Sequence, residues 1–150
     1  ASNGQLSCTT GLLEPLEASV KIFWAKDILP SNGMMFSGDL LLQHKVSKRH
    51  HYDEAWKTAV QLGGFDALFT NEQGFVTEGG RTSIFIKPPN SNEWLTPPLI
   101  AGLLPGVMRA ALLADPQLNA REANLTIKDV SMASEIMLSN ALRGAIKAQF

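Results

Sequence analysis

Short apolar blocks separated by turn residues dominate the chain, with a few helical stripes between them. In residues 17–27, Val20, Ile22 and Trp24 alternate with other residues in the period-two pattern of a half-buried strand. Pro30-Ser31-Asn32-Gly33 is a turn, and residues 39–44 read as a second, leucine-rich strand that ends at Lys45. Residues 52–62 carry Ala55, Trp56, Ala59 and Val60 at helical spacing, open with Asp53 and Glu54, and stop at Gly63-Gly64. Residues 65–70 form a short apolar strand. The turn Asn71-Glu72-Gln73-Gly74 follows, and residues 75–78 return as the second arm of a hairpin. Beyond Gly79-Gly80, residues 82–87 are a further strand, 88–93 a loop, and 94–96 a short strand that closes the meander. Pro105 heads an apolar helix over 107–114, and Asp115-Pro116 stops it. Residues 124–133 read as a strand end running into a short helix, with Thr126 as N-cap and Asp129 three residues on. Two strands, 134–139 and 145–150, finish the chain around the loop 140–144. The pattern predicts a mixed α/β domain, rich in antiparallel strands, with flanking helices.

Composition narrows the class. A length of 150 residues, 45% of them apolar and 18% charged, suits one folded domain with a real core. A net charge of −1 gives no electrostatic footprint for nucleic acid or an anionic membrane. The basic cluster Lys45, Lys48, Arg49 is short and is followed by Asp53 and Glu54. One cysteine, Cys8, excludes an internal disulfide and a cysteine-based zinc site, and points to a reducing compartment with the cytoplasm as default. No apolar stretch approaches a membrane span. Residues 1–15 are polar and glycine-containing, a linker or a cut edge, and leave 16–150 as the domain. His44, His50 and His51 are close in sequence. Adjacent histidines point to different sides of a regular element, however, and no second carboxylate cluster completes a metal site.

Three stretches carry chemistry. A lysine leaving a buried strand, as Lys45 does, is partly desolvated. This lowers its pKa and makes the neutral, nucleophilic amine accessible. Glu78 sits in a Thr-Glu-Gly-Gly turn between apolar runs, where it can hold a protonated ring nitrogen. Pro105-Gly106 opens a helix whose first backbone N–H groups can bind phosphate. Taken singly, each is more often a solvated strand end, a turn residue or an ordinary proline-capped core helix.

Their order is more specific. Lys45 is followed by Thr77-Glu78-Gly79-Gly80-Arg81-Thr82-Ser83-Ile84-Phe85, then Leu103-Leu104-Pro105-Gly106-Val107-Met108-Arg109, then Ser139-Asn140-Ala141-Leu142-Arg143-Gly144. That order resembles the class IV (fold type IV) pyridoxal-phosphate enzymes, which include amino-acid aminotransferases and aminodeoxychorismate lyase. His44-Lys45, Thr96-Pro97-Pro98 and residues 140–144 look most like the lyase, in the form fused behind component I of para-aminobenzoate synthase.

The resemblance implies the C-terminal cofactor domain of that fold, an antiparallel-rich sheet or pseudo-barrel with pyridoxal 5'-phosphate as cofactor. It makes Lys45 the Schiff-base lysine and proton shuttle, and Glu78 the partner of the pyridine nitrogen. Gly106, Val107 and Met108 hold the phosphate, and Asn140 faces it. Ser83 stands where many relatives carry asparagine, and Val46-Ser47 replaces the commoner Thr-Thr. The implied reaction splits 4-amino-4-deoxychorismate into para-aminobenzoate and pyruvate, on the route to folate. A homodimer is implied, as is a smaller N-terminal domain, which residues 1–44 do not resemble; without it, catalysis by this chain alone is not expected. Two further readings remain open: an amino-acid aminotransferase using the same Lys45 and Glu78, and a non-catalytic assembly domain.

Overall fold

A computed structural model describes residues 8–31, 33–39, 42, 44 and 49–150. The strands are β1 (Val20–Trp24), β2 (Met34–Met35), β3 (Asp66–Asn71), β4 (Val76–Gly79), β5 (Ser83–Lys87), β6 (Trp94–Thr96), β7 (Ala120–Glu122), β8 (Glu135–Asn140) and β9 (Gly144–Gln149). The helices are α1 (Ala25–Ile28), α2 (His50–Gln61), α3 (Val107–Ala114) and α4 (Ile127–Ser131). The strands join one mixed sheet in the order β2-β3-β1-β9-β8-β5-β6-β7, and β4 pairs with β3. Antiparallel pairing links β3–β4, β5–β6, β5–β8 and β8–β9. Parallel pairing links β1 to β3 and β9, β2 to β3, and β6 to β7. No helix among the described residues is long and apolar enough to cross a membrane.

Strand alternation sorts the apolar residues into two cores. Ile22, Leu68, Ile84, Ile86, Ile136, Leu138 and Ile146 point into one, closed by Leu125 and Val130. Ala67 and Phe69, on the other face of β3, meet Tyr52, Ala55 and Ala59 of α2. Helix α2 buries Ala55 and Ala59 of the stripe its spacing predicts, with Tyr52 as the third buried residue; Trp56 is half-buried and Val60, expected on the stripe, is exposed. Its C-terminal end is followed by Gly63-Gly64 as expected. Thr126 and Asp129 form a reciprocal capping box at α4, and the pair holds the Asp129 carboxyl below its usual range.

Three expectations are corrected. Strand β1 stops at Trp24 and the chain turns into α1, where Ala25 is fully buried while Lys26 and Asp27 face solvent. The strand expected over 39–44 is absent at its described positions. Leu42 N–H donates to the Asp39 carbonyl at 3.1 Å, an i→i+3 turn, and residues 40, 41 and 43 lie outside the described residues. The strand preceding α4 is β7, at Ala120–Glu122. Its alternation is invisible in Ala-Arg-Glu because it is a largely exposed strand paired with β6.

Candidate active site

Asp66 at the start of β3 is fully buried and braces the turn between β4 and β5. Its carboxylate accepts the Thr82 hydroxyl at 2.7 Å and the Arg81 N–H at 3.0 Å. Burial raises the Asp66 pKa, and these donors pull against that rise. A Cβ on Gly79 would lie 2.5 Å from Asp66 Oδ2, so the brace leaves room only for glycine. The turn thus delivers Glu78, 4% exposed, from the end of β4 into the floor of a cleft.

A second path fixes the opposite wall. Asn71 Oδ1 accepts the Gln73 and Phe75 N–H groups of the β3–β4 turn, while its Nδ2 donates to the Ala101 carbonyl at 3.0 Å. This anchors the 3-10 turn Leu99–Ala101, seats Leu103 in the interior, and brings Leu104 N–H to Glu78 Oε1 at 3.2 Å. Tyr52 Oη donates to the same oxygen at 2.8 Å. Among the described residues Oε2 carries no hydrogen bond. Burial pushes Glu78 up to about 7; Tyr52, the Leu104 N–H and the Arg49 charge oppose the rise, and Asp66 adds to it.

Beyond Leu104 the chain reaches α3. Gly106 is its extended N-cap (φ −66, ψ 136) and gives no side-chain cap, so the N–H groups of Val107 and Met108 lack a helical acceptor. A Cβ on Gly106 would stand 3.2 Å from Ser83 Oγ, close enough to crowd the loop against β5. Ser83 pairs in register with Ser139 of β8. Ser139 is 1% exposed, and among the described residues its hydroxyl has no partner. Arg109 is buried too; its guanidinium donates to the Pro97 carbonyl at 2.8 Å and pairs with Glu122, tying α3 to the β6–β7 edge.

Glu78, Ser83, Gly106, Val107, Met108 and Asn140, all expected from sequence, line one cleft of about 360 Å³. Asn140 Oδ1 accepts the Leu142 and Arg143 N–H groups, and its Nδ2 lies 3.5 Å from the Arg81 carbonyl. Lys45 lies outside the described residues; His44 and Arg49, its nearest described neighbours, line the cleft. Sequence reasoning missed Tyr52, Asp66 and Ser139 as parts of the site. Tyr52 carried a signal, a phenol on the same stripe as Ala55 and Ala59; for Asp66 and Ser139 the signal was a polar residue inside an apolar strand. Among the described residues, a half-satisfied buried carboxylate at one end, with open amides and an unpartnered hydroxyl at the other, suits a ligand bearing both a protonated nitrogen and an anionic group.

Residues 8–149 match the family described as amino-transferase class IV. An aminodeoxychorismate lyase of Saccharomyces cerevisiae is 30% identical over 119 residues, 69% of this chain and 31% of that protein. A Schizosaccharomyces pombe protein provisionally given the same name is 35% identical over 107 residues, 69% of this chain and 46% of that protein. The chain therefore spans less than half the length of these curated relatives. A Mesorhizobium loti crystal structure, provisionally an amino-acid aminotransferase, superposes with a TM-score of 0.82 at 32% identity, covering 99% of this chain and 69% of that one.

Proposed function

The chain belongs to the amino-transferase class IV family, and we propose that it is the cofactor-binding part of an enzyme that splits 4-amino-4-deoxychorismate into para-aminobenzoate and pyruvate. The family's cofactor is pyridoxal 5'-phosphate, whose ring, when bound, takes up electron density from the bond being broken. In this reading Glu78 Oε2 accepts the N–H of the pyridine nitrogen. The amides of Val107 and Met108, with Ser83, Ser139 and Asn140, hold the phosphate. Lys45 Nζ would hold the cofactor covalently and, when free, would carry the proton.

The observation that carries the reading is the single cleft that joins the open oxygen of Glu78 to the uncapped start of α3. The lyase reaction is supported by the names of the two yeast relatives and by the resemblance of His44-Lys45 and residues 140–144. An amino-acid aminotransferase is the second reading, favoured by the Mesorhizobium loti structure. Because the relatives are longer, activity, substrate and the pairing of two copies are assigned to the whole protein as part of this proposal.

An absorbance spectrum after incubation with pyridoxal 5'-phosphate tests the site. A band near the visible edge that borohydride removes, and that Lys45→Ala lacks, is the expected result. A band unchanged in Lys45→Ala would remove the lysine from the mechanism. Pyruvate release by the full-length protein without a keto-acid acceptor separates lyase from aminotransferase.

A further inference from the structure

Tyr52 is the only tyrosine in the chain, and its ring is held from several directions. It is 5% exposed and packs edge-on against Phe69, with centroids 4.9 Å apart. The Arg49 guanidinium lies 4.8 Å from the ring centroid and also donates to the Gly80 carbonyl at 2.9 Å. The phenol therefore has a fixed direction, and that direction ends on Glu78 Oε1. A carboxylate held by one donor can rotate about its last bond. Glu78 has two donors on one oxygen, Tyr52 from α2 and the Leu104 N–H from the far wall, so its plane is set and Oε2 is left for the cleft.

We propose that Tyr52 is a positioning residue of the site: its hydroxyl fixes the plane of the Glu78 carboxylate and favours its charged form, with its second oxygen turned to the ligand. The proposal rests on the reading that Glu78 meets a protonated ring nitrogen, since only an ionised carboxylate can hold that proton in place. The phenol acts against burial, which favours the neutral acid. Tyr52 itself stays protonated, because burial and the Glu78 charge both raise its pKa. Other described groups also bear on the pair. Arg49 favours the charged form of Glu78, and Asp66 disfavours it. Asp39, His44, His50 and His51 line the small cavity of about 100 Å³ beside Tyr52 and Glu78. All of these persist when only the hydroxyl is removed.

Because Tyr52 is the sole tyrosine, growth on 3-fluorotyrosine places one fluorine reporter beside Glu78. Its ¹⁹F resonance is expected to shift through a titration centred near 7, and to lose that step in Glu78→Gln. In carbon-13 carboxyl spectra, Tyr52→Phe is expected to raise the Glu78 midpoint by about one pH unit, roughly tenfold in proton affinity. An unmoved midpoint in Tyr52→Phe, or a ¹⁹F step that survives Glu78→Gln, overturns the proposal. Should Tyr52→Phe not fold, the fluorinated protein serves alone. Its more acidic phenol must lower the Glu78 midpoint relative to unlabelled protein, and no change overturns the proposal. Cofactor titration of Glu78→Gln isolates the underlying reading. Unchanged affinity and spectrum there would remove the ring-nitrogen contact while leaving the nuclear magnetic resonance result to stand or fall separately.

Discussion

Replacing Glu78 by glutamine is expected to stabilise the folded chain at pH 8 and to leave it nearly unchanged at pH 5. The carboxyl is buried and its pKa stands at about 7, against 4.5 when exposed. The folded protein thus binds this proton more tightly than the unfolded chain. Its contribution to stability is complete below about 4.5 and is lost as pH rises through 7. The difference corresponds to about 3 kcal/mol. Glutamine keeps an oxygen for Tyr52 and the Leu104 N–H but does not titrate. For a chain of this size, about 3 kcal/mol is roughly 6–12 °C in melting temperature. Asp66, also raised by burial, adds a slope of the same sign to both proteins. Thermal melts of both proteins between pH 5 and 8 provide the test, and parallel curves would refute the reasoning. Pyridoxal 5'-phosphate should reverse the order at pH 8, because only the wild type offers an anion to the ring nitrogen. Such a penalty in the free protein is the usual exchange of stability for a prepared site.

Asp66→Asn is expected to destabilise the chain by about 1–3 kcal/mol in urea titrations, because the amide turns a donor toward the Arg81 N–H or the Thr82 hydroxyl. Gly106→Ala should fold with nearly wild-type stability, since φ −66 suits alanine, yet crowd Ser83 Oγ at 3.2 Å. Its cofactor affinity is expected to fall about tenfold in an absorbance titration, the equivalent of about one lost hydrogen bond. Wild-type affinity would place the phosphate elsewhere.

Most of the sheet was legible because each strand alternates against one core: Ile84 and Ile86, or Ile136 and Leu138, announce themselves by spacing. Helix α3 was legible at both ends, through Pro105-Gly106 before it and Asp115-Pro116 after it. What escaped were elements whose pattern comes from a neighbour. Strand β7 has no apolar face of its own and exists because β6 offers it a parallel edge. The turn at Leu42 defeats the leucine-run expectation because a one-residue apolar anchor can be buried without a ladder. The candidate site divides in the same way. Glu78 and Gly106 stand in local turn signals, whereas Tyr52 and Asp66 gain their roles from contacts 26 and 16 residues away in sequence.

The site and the core are consequences of one register. Across β5 and β8, Ile84 faces Leu138 and Ile86 faces Ile136, and all four enter the interior. Side chains alternate along a strand, so Ser83 and Ser139, also directly paired, must emerge on the opposite face, beneath the start of α3. A slip of one residue would send the serines into the apolar interior and present Ile84 and Leu138 to the cleft in their place. The hydrophobic effect that selects the register therefore also places the polar pair. Because β5 begins five residues after Glu78, the same register sets the carboxylate and the helix amides at opposite ends of one cleft. Polar residues at 83 and 139 are accordingly a stronger pointer to this site than either serine is alone.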